Sequence, residues 1–231
     1  MSSLERAPIL VVAALSYELK KLNRSAGLGL LETGEGVANA ERQLEGWFEQ
    51  QSAHAVLSIG FAGALTAELR VGDLVIANSI HGAVVEPDHE LLAAASGVRM
   101  DTSVRLGTAV TSDAILWRAT EKHTLAKSLG ANEIGFVDME STAIASVCAR
   151  RNVPFLIVRS ITDLFDEDLP LDFNLCRDRD GRVKSTKVMK AALLKPSSFT
   201  GLLELRKRSA LCADRMAEFV GKLTPLIYAT A

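Results

Sequence analysis

Two stretches of this chain concentrate residues able to move protons. Val137-Asp138-Met139-Glu140-Ser141-Thr142-Ala143 sets two carboxylates at the start of an apolar helical pattern, and the apolar run from Phe155 closes with Arg159-Ser160-Ile161-Thr162-Asp163. A carboxylate at a helix start is commonly a cap favoured by the helix dipole. An Arg and an Asp closing a strand can equally be a solvated pair. Strand ends are also where α/β folds gather ligand groups, and carboxyls gathered there are the residue type for general acid–base work. It is the order and spacing of the two stretches that favours the functional reading.

Two glycine-bearing stretches accompany them. Thr33-Gly34-Glu35-Gly36 follows the apolar Leu28 to Leu31 and precedes a helical pattern from Ala38. Strand, glycine turn and helix N-terminus suit an anion or a ribose, because free backbone N–H groups point outward there. A dinucleotide fingerprint is not completed: Ala38 and Asn39 stand where its third glycine would fall. Ser58-Ile59-Gly60-Phe61-Ala62-Gly63-Ala64-Leu65 lies just past a strand, and its small residues let a ligand or another backbone approach closely. A structural turn would explain those glycines as well.

Other chemistry is poorly supported. The four histidines (His54, His81, His89, His123) show no metal-binding spacing, and Cys148, Cys176 and Cys212 are too scattered for a zinc site or a disulfide framework. Cys148 falls on an apolar helix face with no His nearby in sequence, so it reads as a core filler. Trp47 and Trp117 read as packing groups.

The elements that must position these residues are legible as apolar runs and helical periods. Ile9 to Ala13, His54 to Gly60, Asp73 to Ala77, Leu106 to Val110 and Phe155 to Ser160 are apolar on both faces, as buried strands are. Ala38 to Gln51 and Glu140 to Arg151 carry helical spacing, the latter ended by Asn152-Val153-Pro154. The expectation is an α/β domain with a mixed, largely buried sheet. Glu5 and Arg6 precede the short run Pro8 to Leu15 without a small-residue cleavage site, so that run reads as a first strand, not a signal peptide.

The chain has 231 residues, 48% of them hydrophobic, with a formal net charge of −2. That excludes a disordered chain and a uniformly basic nucleic-acid binder. With no apolar segment of membrane-spanning length and few cysteines, a cytoplasmic location is expected. Charge is uneven, however. From Arg182 to Arg215 there are nine Lys or Arg against two acids, Glu204 and Asp214, interleaved with Leu193, Leu194, Phe199, Leu202, Leu203 and Leu205. Pro196 is expected to divide this stretch into two helices, with a last helix over about 210–223.

Taken jointly, Ala14-Leu15-Ser16-Tyr17-Glu18, Thr33 to Asn39, Gly60 to Leu65 with Val71-Gly72-Asp73, Asp113-Ala114, Asp138 to Ala143 and Arg159 to Asp163 resemble the purine nucleoside and uridine phosphorylases. The nearest branch is the methylthioadenosine/S-adenosylhomocysteine nucleosidases. The resemblance implies a single α/β domain over 1–231, a central mixed β-sheet or barrel flanked by helices, with a basic amphipathic helical insertion at about 177–208. It implies a homodimer, a small nucleoside substrate, and no metal or organic cofactor. Asp163 matches the general acid that donates to purine N7, and Arg159 the residue beside it that orients and balances charge. Glu140 matches the acceptor of the ribose hydroxyls, Met139 the side chain beneath the sugar, and Glu18 the carboxylate that positions the attacking water. The matching stretches also put Phe61, Ala62, Gly63, Ile115, Leu116 and Asp138 in the substrate site. Two carboxyls, one serving the base and one the water across an oxocarbenium-like sugar, echo the inverting glycosidases.

Three departures qualify the match. Phe61 stands where relatives place a Ser or Thr that helps hold phosphate, and Ser16 to Leu22 offers no evident phosphate-binding residue beyond the nearby Lys20 and Lys21. Water is therefore favoured over phosphate, a phosphorylase being the alternative. Ile115 and Leu116 replace the aromatic residue often stacked on the base, leaving adenine to lie between aliphatic walls and bond the backbone near Leu116. The Ser58 to Leu65 run and Asp178-Arg179-Asp180-Gly181-Arg182 resemble the hopanoid-associated phosphorylase branch, which implies adenine release from adenosylhopane. Residues 182–208 would then suit peripheral contact with an anionic membrane. The rival is that they cover the sheet or form a dimer face. A catalytically silent nucleoside- or lipid-binding protein is a further alternative, opposed by the retention of Glu18, Glu140 and Asp163.

Overall fold

The computed structural model describes residues 7–22, 27–178 and 181–230. Glu5, Arg6, Arg179 and Asp180 lie outside the described residues. Seven strands form one sheet: β1 (Ile9–Ala13), β2 (Leu28–Glu32), β3 (Ala55–Ala64), β4 (Leu74–Ile80), β5 (Val104–Thr111), β6 (Gly135–Asp138) and β7 (Phe155–Asp163). Their order is β2-β1-β3-β6-β5-β4-β7, and β7 also pairs with β3, closing the sheet on itself. The β3–β6 and β4–β7 pairings are antiparallel and the others parallel.

Closure depends on the length of β3. Its first half pairs with β1 through Ala55–Ser58, its far end with β6 through Gly63 and Ala64, and nearly its whole length with β7. The Ser58 to Leu65 run therefore lies largely inside a strand rather than past one. Gly60 and Gly63 have no positive φ, so they mark close approach and not a turn.

Helices cover both faces, as a sheet buried on both sides requires. These are α1 (Ser16–Leu19), α2 (Val37–Phe48), α3 (His89–Ser96), α4 (Ala119–Ala126), α5 (Ser141–Arg151), α6 (Ser185–Leu194) and α7 (Ser198–Thr230). One core packs Leu44, Val147 and Cys148 from α2 and α5 against Leu10, Val56 and Ile157; the other packs Phe219, Val220 and Leu223 from α7 against Ile9, Leu57 and Val158. On the surface, the Arg150 guanidinium bridges Glu41 and Glu45 at 2.8 Å each, tying α5 to α2.

Pro196 does separate two helices, but no separate last helix follows. Residues 198–230 form one continuous α7, so the second half of the basic stretch is the first part of the helix that seals the core. The exposed Leu203 belongs to the same helix as the fully buried Phe219.

Candidate active site

Carboxyl groups from four parts of the fold meet at one cavity of about 430 Å³. Its walls include Glu18, Glu35, Phe61, Ala62, Gly63, Ile115, Leu116, Asp138, Met139, Glu140, Thr162 and Asp163. Apolar groups from Leu169 onward complete it: Leu169 itself, Phe173 in a 3₁₀ turn (Phe173–Cys176), Val183, and Leu205 of α7. Every sequence-derived site residue except Arg159 lines this cavity.

Glu18 is held by two backbone amides. Its Oε2 accepts from Leu15 N at 2.8 Å, the reach-back of a carboxylate at the third position of a helix. Its Oε1 accepts from Phe61 N at 2.9 Å, which couples α1 to β3. A Cβ on Gly60 would sit 2.9 Å from that same oxygen, so the glycine makes room for the carboxylate. Burial outweighs the two amides and the nearby Arg159, and pushes the Glu18 pKa up to about 7.

Glu140 precedes α5, and its Oε1 accepts from Gly36 N at 2.8 Å. The helix start that follows the glycine turn thus receives a carboxylate of this chain. Gly36 holds φ +92°, a conformation only glycine adopts freely, and this directs the amide. Burial, reinforced by the neighbouring Asp138, raises the Glu140 pKa to about 8.

Arg159 is 2% exposed and serves a different partner from the one expected. Its Nη2 lies 2.8 Å from Asp138 Oδ2, and its Nη1 donates to the carbonyls of Ser58 and Val158 and to Ser58 Oγ. Asp138 in turn accepts from Ser141 N and Oγ, capping α5. The expected position beside Asp163 is filled by Lys122 of α4, whose Nζ lies 2.6 Å from Asp163 Oδ2. Asp163 Oδ1 accepts from Thr162 Oγ1 at 3.0 Å. Burial raises the Asp163 pKa and the Lys122 ammonium opposes that rise. Gly63 makes room here as Gly60 does for Glu18: its Cβ would fall 2.8 Å from Asp163 Oδ2.

Ile115 lines the cavity, but its backbone is already engaged: Ile115 N donates to Asn174 Oδ1 at 3.0 Å, and Asn174 Nδ2 donates back to Ile115 O at 2.8 Å. Val183 meets the glycine loop, its N donating to Glu35 Oε2 at 3.0 Å. Part of the stretch expected as a helical insertion is therefore a wall of the site. Lys122 and the apolar contributors Phe173, Val183 and Leu205 escaped sequence reasoning. Lys122 sits in a short polar helix that reads as solvated, Phe173 lies away from any motif, Val183 merely follows the Asp178 to Arg182 run, and Leu205 reads only as part of the basic apolar stretch.

Comparison with known proteins gives the family and the fold. The family model described as "Phosphorylase superfamily" matches residues 24–193, and the chain belongs to that superfamily. The match takes in Glu140 and Asp163 and stops short of Glu18 and α7. A 5'-methylthioadenosine/S-adenosylhomocysteine nucleosidase of Staphylococcus haemolyticus is 27% identical over 183 residues, covering 70% of this chain and 79% of that protein. Among solved structures, the futalosine hydrolase of Helicobacter pylori superposes with a TM-score of 0.71 at 16% identity, over 96% of this chain and 99% of that one. The Neisseria meningitidis 5'-methylthioadenosine/S-adenosylhomocysteine nucleosidase, solved with methylthio-immucillin-A, gives 0.70 at 19% identity, over 97% and 100%. At these identities the structural likeness is one of fold.

Proposed function

We propose that this enzyme is a nucleosidase that hydrolyses the N-glycosidic bond of a 5′-modified adenosine and releases adenine. The observation that carries this reading is the make-up of the cavity wall. Its walls include five acids (Glu18, Glu35, Asp138, Glu140 and Asp163) and, among the described residues, no Lys or Arg. Of the two lysines considered for phosphate, Lys21 is paired with Asp214 on the surface and Lys20 is exposed outside the cavity wall. With no Lys or Arg among the described residues of its wall the cavity offers a phosphate nucleophile no direct cation, and a carboxylate of Glu18 there favours a cationic sugar.

In this reading the Asp163 carboxyl gives its proton to N7 of the base as the C1′–N9 bond breaks and its electron pair passes to N9. Adenine leaves neutral. Water adds to the cationic C1′ and gives a proton to Glu18, whose carboxylate is anchored by Leu15 N and Phe61 N. Proton exchange with solvent then restores both acids. Glu140 receives the ribose hydroxyls and Met139 packs beneath the sugar. A pKa near 7 suits Glu18 to take a proton at neutral pH.

Beyond the sugar the cavity has a largely apolar wall of Leu15, Leu169, Phe173, Val183 and Leu205, which supports an apolar 5′ substituent, from methylthio to the hopane of adenosylhopane. The exposed basic and apolar side chains of α6 and early α7 support peripheral contact with an anionic lipid surface, by charge complementarity. The deciding assay measures adenine release from methylthioadenosine, S-adenosylhomocysteine and adenosylhopane, with and without phosphate. Release that requires phosphate would replace hydrolysis by phosphorolysis.

A further inference from the structure

Lys122 is unusual for a lysine: it is fully buried. Its Nζ donates to Leu164 O at 2.6 Å and to Glu167 O at 3.0 Å, and its third position meets Asp163 Oδ2 at 2.6 Å. An ammonium has three N–H donors and no acceptor, and here all three are used. Two fix the loop that follows β7, and the third fixes one oxygen of a carboxyl that lines the cavity. A buried charge is retained only where its partners are good. Loop anchoring alone would not require a lysine aimed at Asp163, because the same loop is held by other contacts. Ala119 N donates to Asp168 Oδ1 at 2.7 Å, His123 Nε2 lies 2.7 Å from Asp166 Oδ1, and Arg208 Nη1 reaches Glu167 Oε2 at 2.7 Å.

We propose that Lys122 is the positioning residue of the general acid, holding Asp163 Oδ2 so that the carboxyl is directed at the leaving base. This rests on the nucleosidase reading above. Lys122 touches no substrate and lies outside the cavity wall, acting through Asp163. The other groups facing Asp163 are Thr162 on its own strand, Glu167 on the loop and Cys212 on α7, while Arg208 of the same helix donates to the Thr162 carbonyl and to Glu167. Among the described residues, Lys122 is the cation that bonds the carboxyl.

The test separates help to the leaving group from general structural support. Methylthioadenosine needs a proton at its base, whereas 4-nitrophenyl β-D-ribofuranoside expels a stable anion unaided. Lys122→Met is expected to lower kcat on methylthioadenosine by about 10²-fold and to change kcat on the nitrophenyl riboside by less than about 3-fold. Removal of the ammonium also lets burial raise Asp163 further, so the alkaline limb of kcat/KM for methylthioadenosine moves to higher pH. Lys122→Gln, which keeps an N–H donor without the charge, is measured alongside and is expected to show the same limb shift with a smaller loss. Equal losses on both substrates, an unmoved alkaline limb, or failure of both variants to fold would assign Lys122 to structure alone and overturn the proposal. If the wild type releases no adenine while cleaving the nitrophenyl riboside, it is the purine reading that fails, and the Lys122 proposal falls with it.

Discussion

Arg159 places its guanidinium 2.8 Å from the Asp138 carboxylate, and both side chains are all but excluded from solvent. Asp138 lines the cavity and Arg159 does not. The pair therefore supports the site from behind while Lys122 serves Asp163. Removing one member leaves an uncompensated buried charge, so Arg159→Met and Asp138→Leu are each expected to cost about 3–5 kcal/mol in urea unfolding. The double variant should be less destabilised than either single one. Additive losses would show that the two side chains act independently. Arg159 also favours the ionised form of Glu18, so any folded Arg159→Met enzyme should lose activity at a higher pH on acidification.

The two glycines of β3 give a second prediction. A methyl group at Gly60 would press on Glu18 Oε1, and one at Gly63 on Asp163 Oδ2. Each carboxyl must then shift by a substantial fraction of an ångström, and small misplacements of catalytic groups cost up to about 10²-fold in rate. Gly63→Ala should lower kcat on a purine nucleoside far more than on a nitrophenyl riboside, whereas Gly60→Ala should lower both, since both need water. Steady-state kinetics on the two substrates will distinguish them. Indistinguishable profiles would deny the two carboxyls separate roles.

These relationships explain what the sequence disclosed and what it withheld. Five of the seven strands stand out as runs apolar on both faces, and β2 as the apolar stretch before the glycine turn, because the sheet is covered on both sides. β6 does not, since its four residues end in a carboxylate and merge with the helix start behind them. The continuity of α7 is equally obscure: its first third exposes Phe199 and Leu203 while its remainder buries Phe219 and Leu223, a change of environment that local periodicity does not report. Glu140 and Asp163 stand out by the order and spacing of their stretches, whereas Glu18 enters only through the family resemblance. Lys122 was not, because a lone lysine among Thr, Glu and His looks like a solvated helix face, and only the path of the loop after β7 encloses it. Gly60 and Gly63 were visible as glycines, but their reason is a side chain approaching from elsewhere in the fold.

The pH dependence of activity follows from Glu18. In the proposed mechanism it works as a carboxylate, and burial pushes its pKa up to about 7. Activity should therefore fall as pH drops through about 7, well above the ordinary carboxylate range. Glu18→Gln should abolish that acid limb and lower kcat by about 10²-fold or more. A kcat/KM profile for wild type that stays flat down to pH 5 would remove Glu18 from the role of base.

Stability should run the other way. Glu140 titrates near 4.5 when unfolded and near 8 when folded. Below about 4.5 both states hold the proton and the folded state bears no penalty. Between the two values the unfolded chain releases a proton that the folded chain retains, so stability declines as pH rises across this window. Glu140→Gln stays neutral and its amide oxygen can still accept from Gly36 N. It should leave the melting temperature little changed at pH 5 and raise it at pH 8, by about 1 kcal/mol or more in unfolding free energy, while impairing turnover. Melting curves at the two pH values provide the check, and a variant less stable than wild type at pH 8 would contradict the assigned burial penalty.

The outer face of the basic segment yields the last prediction. Met189, Leu193, Leu194 and Leu203 are each more than half exposed, with Lys190, Arg206 and Lys207 exposed on the same two helices. Among the described residues no helix is long and apolar enough to cross a membrane. Apolar side chains flanked by cations bind anionic bilayers through both burial and charge, and added salt weakens the second contribution. The protein should cosediment with phosphatidylglycerol vesicles, bind phosphatidylcholine vesicles poorly, and release as salt is raised. Leu193→Ser with Leu194→Ser should weaken binding several-fold with activity on methylthioadenosine retained, because neither side chain reaches the cavity. Val183→Ser should do the opposite, impairing substrate binding and leaving vesicle binding intact, because that residue forms part of the wall. If the wild type ignores anionic vesicles, the outward leucines are left to a protein contact, and the contribution of this segment to the site rests on Val183 and Leu205 alone.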